Sequence, residues 1–267
     1  SFPTRRSSDL PFSPAAEVAG VIESVGAGVT DLKVGDRVVA SCGHNGARDK
    51  IALPANTIVK IPDNLDYDRA AGIIIIYGTA LHALEDRASP KPGETLAVLG
   101  AAGGTGLAAC ELGKLMGLKV IACASSDEKL ARARELGADI TVNYNDDPEW
   151  GRTIKKQTGG ADIVLESAGA QTLPQSLRAV KPGGVISLIG VVAGDKGEIP
   201  TALLMTKQVR LHGVLVGSRA TQQEFVTAMD GLGIRPVLDQ TLPMTDLARA
   251  CELMGGQSHL GKMALEW

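Results

Sequence analysis

The stretch from Thr95 to Lys119, TLAVLGAAGGTGLAACELGKLMGLK, leaves this chain few folds to choose from. An apolar run, Leu96 to Leu99, leads into Gly100-Ala-Ala102-Gly103-Gly104-Thr105-Gly106, and an alanine-rich amphipathic run follows at once. That order predicts strand, glycine turn and helix. Glycines let backbone approach a ligand closely. A helix N-terminus adds unpaired N–H groups and partial positive charge, so such a turn suits a dinucleotide pyrophosphate. The context on both sides makes the motif more specific than its glycines alone. The competing reading is a plain strand–turn–helix corner in some other α/β domain.

The alternation continues beyond this stretch. Strands are predicted over 96–99, 119–123, 140–142, 162–166, 184–188 and 209–216, with helices over 104–116, 126–136, 148–158 and 173–180 between them. Repeated β–α order at these lengths predicts a parallel, doubly wound sheet. The earlier part reads differently. Extended runs are expected over 17–25, 34–39, 50–53 and 57–61, then a helical turn at 66–71 and a buried helix over 73–84. The tail predicts helices over 221–232 and 245–254 and extended pieces over 236–240 and 262–266, a length suited to returning to the N-terminal β part. The expected organisation is therefore 11–75, 76–219 and 220–267, with residues 1–10 non-native or disordered.

Composition narrows the function classes. A hydrophobic share of 44% in 267 residues supports a sizeable core, and a net charge of −3 favours neither nucleic acid nor an acidic membrane as partner. Aromatics at 3% provide no platform for stacking bases. Cys42, Cys110, Cys123 and Cys251 are scattered, which fits a reducing, cytoplasmic setting rather than a disulfide framework. The apolar run Ile73 to Ile76 is too short to span a membrane, and the opening residues hold no apolar leader segment.

The second strand of the alternation ends at Cys123-Ala124. An acidic residue there, about 20 residues past the glycines, would hold the ribose 2′-hydroxyl of NAD. This chain has a small residue instead, followed by Ser125, Ser126 and Lys129 at a helix start, which suits the 2′-phosphate of NADP. Asp127 is the contrary sign, unless it simply favours the helix N-terminus. The serines also read as helix caps and Lys129 as a solvated charge. Gly169 and Gly190 follow the fourth and fifth strands, at the carboxyl edge where open α/β sheets bind ligands. They are expected to form a shelf for the nicotinamide half, with ordinary loop glycines as the alternative.

Several motifs together resemble the medium-chain dehydrogenase/reductase superfamily, in particular its zinc-free quinone oxidoreductase branch. They are Pro14-x-x-Glu17-x-Ala-Gly20-Val, Val25-Gly-x-Gly-Val-x-x-x-Lys33-x-Gly35-Asp36-Arg37-Val, Ala101-Ala-Gly103-Gly104-Thr-Gly106 and His259-Leu-Gly261-Lys262. The resemblance covers residues 11–267. It implies a Rossmann domain with a partial GroES-like β domain built from both chain ends, in an N-terminally truncated chain. It also implies hydride transfer between NAD(P)H and a small carbonyl, alkene or quinone, and a homodimer formed through the last Rossmann strand. Where zinc-dependent members carry histidine and cysteine ligands, this chain has Ala16 and Ile75, and Cys42 and His44 alone stand in the region of the structural-zinc lobe. No zinc is expected. Thr79 matches the threonine beside the nicotinamide, and Lys129 and Tyr144 match a lysine and tyrosine at the 2′-phosphate. Ser218 and Arg219 are placed at the cofactor cleft, and Tyr77 is a speculative proton or hydrogen-bond donor. The reading is NADPH as cofactor and a quinone or enone as acceptor. Its rivals are an alcohol dehydrogenase, an enoyl-thioester reductase and a non-catalytic NADPH-binding protein.

Overall fold

The computed structural model describes residues 13–229, 231–256 and 259–267, so the expectations for residues 1–10 lie outside the described residues. The chain opens with three antiparallel strands, β1 (Glu17–Val21), β2 (Arg37–Ser41) and β3 (Ile58–Lys60), in the order β1-β2-β3. Ala19 pairs with Val39, and Val39 with Val59. Leu32, Val38, Ala40 and Ile58 form their core, and Val18, Ile22, Val29 and Leu53 pack against it. Two expectations fail here. β1 ends at Val21, and residues 50–53 join no ladder. The apolar signal at Leu53 reports packing against the core, which a segment satisfies without pairing as a strand.

A short helix α1 (Tyr67–Ala70) precedes α2 (Ile74–Leu81), which runs directly into a π-helical stretch, His82–Ala88. The wider turn is closed by Ser89 N–H donating to Leu84 O at 2.8 Å, five residues back. Then comes the alternation: β4 (Thr95–Leu99), α3 (Gly104–Leu115), β5 (Lys119–Ala124), α4 (Asp127–Glu135), β6 (Ile140–Asn143), α5 (Trp150–Thr158), β7 (Ala161–Glu166), α6 (Leu173–Ala179), β8 (Val180–Leu188), α7 (Thr201–Thr206) and β9 (Arg210–Gly213). The six strands are parallel in the order β6-β5-β4-β7-β8-β9. All five residues of β4 are buried, as a strand covered on both faces requires. The order reverses at β4, so the crevice beyond its carboxyl end is the topological switch point. The sequence reading missed α7, whose six residues lie between Pro200 and Lys207 and bury none of their number fully.

The tail forms α8 (Arg219–Met229), β10 (Leu238–Pro243), α9 (Leu247–Gly255) and β11 (Lys262–Glu266). Its strands pair with each other in parallel and form a separate two-stranded sheet. The chain divides into two compact units, one of Thr79–Leu215 and the other of the segment up to Gly78 together with Val216–Trp267. In the second unit Arg219 Nε donates to Ile58 O at 3.0 Å. Glu17, its side chain 2% exposed, accepts Ile75 N–H at 2.7 Å on one oxygen and the Lys262 ammonium at 2.7 Å on the other.

Candidate dinucleotide site

The glycine turn sits at the carboxyl end of β4. Gly100 has φ +63, which a side chain resists, and an added Cβ would lie 2.5 Å from Ser167 Oγ. Ala101 N–H donates to Cys123 O at 3.0 Å and so fastens the turn to the end of β5. Gly103 is the N-cap of α3 and supplies no side-chain acceptor to the first helical turn of Gly104, Thr105 and Gly106. That leaves the N-terminus of a twelve-residue helix without an internal side-chain cap. At Gly106 an added Cβ would lie 2.3 Å from Gly100 O, so only glycine lets the helix start this close to the strand end. Ala101 and Ala102 are buried beneath, and Gly103, Gly104 and Thr105 are half-buried.

The end of β5 gathers the polar residues. Ser126 caps α4, its Oγ accepting Lys129 N–H at 3.4 Å, while Lys129 Nζ reaches back to Ser125 Oγ at 3.2 Å. The segment after β6 is tied to the same corner, with Tyr144 N–H on Ala124 O at 3.1 Å and Asn145 Nδ2 on Ser125 O at 2.8 Å. The Tyr144 ring packs against the central core. Asp127 lies in the first turn of α4, within 3.5 Å of Asn143 Nδ2. An ammonium and two hydroxyls therefore sit one strand away from the glycine turn. This donor set fits a phosphorylated ribose; the tyrosine contributes its backbone and a packed ring.

The two loops expected to form the shelf lie in the same unit. Gly169, at φ +103, would place a Cβ 2.6 Å from Gly194 O, and Gly190 would place one 2.1 Å from Ser167 O. Backbone bonds stitch them together: Ile189 N–H to Glu166 O at 2.9 Å, Ala193 N–H to Ala168 O at 2.6 Å and Ala170 N–H to Gly194 O at 3.0 Å. Beneath them lies Glu166, fully buried, which the sequence reading did not single out. Burial pushes its carboxyl pKa up, against hydrogen bonds from Ser176, Thr172, Gly169 and Ala168 that favour the carboxylate. The available signal was a carboxylate ending an otherwise apolar strand, Asp162-Ile-Val-Leu-Glu166, with hydroxyls at Thr172 and Ser176.

The remaining candidates fall in both units. Thr79 is buried on α2 at the edge of the sheet-bearing unit. Tyr77 lies in the other unit, 1% exposed, its ring stacked on Phe225 with centroids 4.9 Å apart. Ser218, although inside the 76–219 segment expected to hold the cofactor, also belongs to that unit. Its Oγ accepts Thr221 N–H at 3.2 Å at the head of α8. Arg219 is committed to Ile58 O and Asp31. The donor set does not fit a catalytic zinc. Ala16 and Ile75 offer no side-chain donor, and the Ile75 N–H is bound to Glu17. The half-buried Cys42 directs its thiol at Ala15 O, 3.6 Å away, and burial raises its pKa.

Comparison with known proteins agrees with this architecture. Residues 104–232 match the zinc-binding dehydrogenase family and residues 3–63 the alcohol dehydrogenase GroES-like domain. Human quinone oxidoreductase is 35% identical over 96% of this chain and 80% of its own length. A crystal structure of an NAD-dependent alcohol dehydrogenase superposes with a TM-score of 0.90 at 30% identity, covering 97% of this chain and 83% of that one. Mycobacterial Rv1454c, solved with NADPH, gives 0.88 at 26% identity over 99% and 84%. A Rossmann sheet with a glycine turn at its switch point, in one chain with a GroES-like β unit, defines a nicotinamide-dependent oxidoreductase. The chain belongs to the medium-chain dehydrogenase/reductase superfamily and has quinone oxidoreductases among its relatives.

Proposed function

We propose that this protein passes a hydride from NADPH to a quinone or an activated alkene without a metal. The observation that carries the reading is the corner at the end of β5. Ala124 stands where an NAD site places an acid, and Lys129 Nζ is held at 3.2 Å from Ser125 Oγ. In this reading those groups take the 2′-phosphate, α3 takes the pyrophosphate at its N-terminus, and the Gly169 and Gly190 loops support the nicotinamide. The cofactor supplies the hydride chemistry; the protein orients it and keeps water away. Thr79 is the residue of α2 assigned to the nicotinamide. Charge that develops on the acceptor oxygen is met by hydroxyls, backbone N–H groups or water, because no side chain stands in for a zinc ligand. Two copies join through β9, the edge strand of the six-stranded sheet.

Lys129→Ala tests the cofactor assignment. Losing a charge-assisted contact costs about 1.5–3 kcal/mol, so NADPH affinity should fall roughly 10- to 100-fold while NADH affinity changes little. Equal losses for both, measured by cofactor fluorescence titration, remove the basis for NADPH. Turnover with a quinone, with an enoyl thioester, and with an alcohol plus NADP in reverse assigns the acceptor. Turnover of the alcohol alone defeats the quinone or enone reading.

A further inference from the structure

The fully buried Glu166 ends β7, and its hydrogen bonds come from Ala168, Gly169, Thr172 and Ser176. One carboxylate oxygen accepts three bonds, from Ala168 N–H at 2.9 Å, Gly169 N–H at 3.1 Å and Thr172 Oγ1 at 2.8 Å; the other accepts Ser176 Oγ at 2.5 Å. These donors come from the loop after β7 and from α6, so a single side chain fixes where the loop leaves the sheet and where the helix begins. The loop has little freedom beyond that. Gly169 is at φ +103 with Gly190, Val191 and Gly194 close against it, and Thr172 Oγ1 makes a second contact to Gly169 O at 3.2 Å. A buried acceptor with four short donors is expensive to leave unpaired from either side. The sheet core beneath needs no carboxylate: it is filled by residues such as Leu99, Ile121, Val164 and Ile186.

We propose that Glu166 is a positioning residue, whose carboxylate sets the height and orientation of the 167–170 loop on which the nicotinamide half of the cofactor rests. This inference rests on the NADPH reading above. It assigns to Glu166 the nicotinamide end of the site alone; the adenine end is set by Ser125 and Lys129 at the far side of the switch point. A glutamine fits the same socket. Its carbonyl oxygen takes the three bonds of Ala168, Gly169 and Thr172, and its amide donates to Ser176 Oγ, which turns to accept. Alanine leaves Ala168 N–H, Gly169 N–H and Ser176 Oγ without this acceptor, and Thr172 Oγ1 with Gly169 O alone.

The test compares two ligands on the same protein, NADPH and 2′,5′-ADP, which has the adenine half and no nicotinamide. In Glu166→Ala the NADPH dissociation constant should rise by about tenfold or more, the size of a lost charged acceptor, and single-turnover hydride transfer should slow further. Binding of 2′,5′-ADP should stay within about twofold, because its contacts lie elsewhere. Glu166→Gln should restore both NADPH values, and Thr172→Val, which removes one donor and leaves the carboxylate in place, should show a smaller loss in the same direction. Thr172→Val is the decisive variant if Glu166→Ala does not fold. Parallel losses of NADPH and 2′,5′-ADP would make Glu166 a residue of fold stability and overturn the proposal; so would unchanged NADPH binding in Glu166→Ala, or in Thr172→Val where alanine does not fold. If the wild-type protein binds 2′,5′-ADP and NADPH equally poorly, the NADPH reading itself is at fault, and that result differs from either of these.

Discussion

Glu166 is held by hydrogen bonds that favour its charge and by burial that opposes it, and burial dominates, so its pKa is raised. A carboxyl whose pKa is higher folded than unfolded binds more protons in the native state between those two values. Its contribution is therefore fully present below the unfolded value and lost as pH rises through the folded one. Glu166→Gln removes that titration. The variant should be at least as thermally stable as wild type at pH 8, and its advantage should shrink as pH falls toward the ordinary carboxylate range. A variant less stable at pH 8 than at pH 5, relative to wild type, contradicts this sign. Asp139 behaves in the opposite sense. Burial opposes its charge, but Lys114 and Val120 N–H outweigh it and hold its pKa down, so its contribution is lost in acid. At this scale the sequence was informative where spacing is local. Ser125 and Lys129 are four residues apart, and the start of a helix brings them together. Glu166 was not legible because its partners lie at 168, 169, 172 and 176, spread over a loop whose path no propensity specifies.

The strands of the sheet and most of its helices were visible in the chain because each pairs an apolar run with glycine or proline punctuation. What stayed hidden was the π-helical extension of α2. A tertiary bond accompanies it: Ser187 Oγ on β8 donates to Ala83 O at 3.1 Å, a buried contact across 104 residues. The two shelf loops belong to this scale as well. Their contact is backbone on backbone, with no room for a side chain at Gly190, where a Cβ would meet Ser167 O at 2.1 Å. Gly190→Ala should therefore cost about 1–3 kcal/mol of stability, the usual range for forced overpacking, and weaken NADPH binding through the displaced loop. Thermal denaturation with and without NADPH checks both; an unshifted melting temperature means the loops separate freely.

At the scale of the whole molecule, the sheet-bearing unit is continuous in sequence and the β-rich unit is assembled from both ends. Among the described residues no helix is long and apolar enough to cross a membrane. The proposed pairing of two copies falls on β9, which is bonded only to β8 on its inner side. Gly213 in β9 is exposed, and a Cβ there meets nothing within 4 Å. Gly213→Lys should leave the subunit folded and put charge on the paired edge, where lysine discourages strand-to-strand association. In sedimentation the wild type should run at twice 27.7 kDa and the variant as a monomer; a variant that stays dimeric places the interface elsewhere. The tail's length is what carries the expectation that it returns to the β-rich unit. Its separate two-stranded sheet was not legible, since pairing partners 20 or more residues apart leave no local mark.

The bond between Glu17 and Lys262 spans 245 residues and has a consequence in time. A ribosome delivers Glu17 well before Lys262. The sheet-bearing unit between them can close as soon as its own strands have emerged. The β-rich unit cannot, because a buried carboxylate waits for an ammonium 245 residues further along. β1 is thus locked only after the sheet-bearing unit has been made, and over that interval it needs a chaperone's attention.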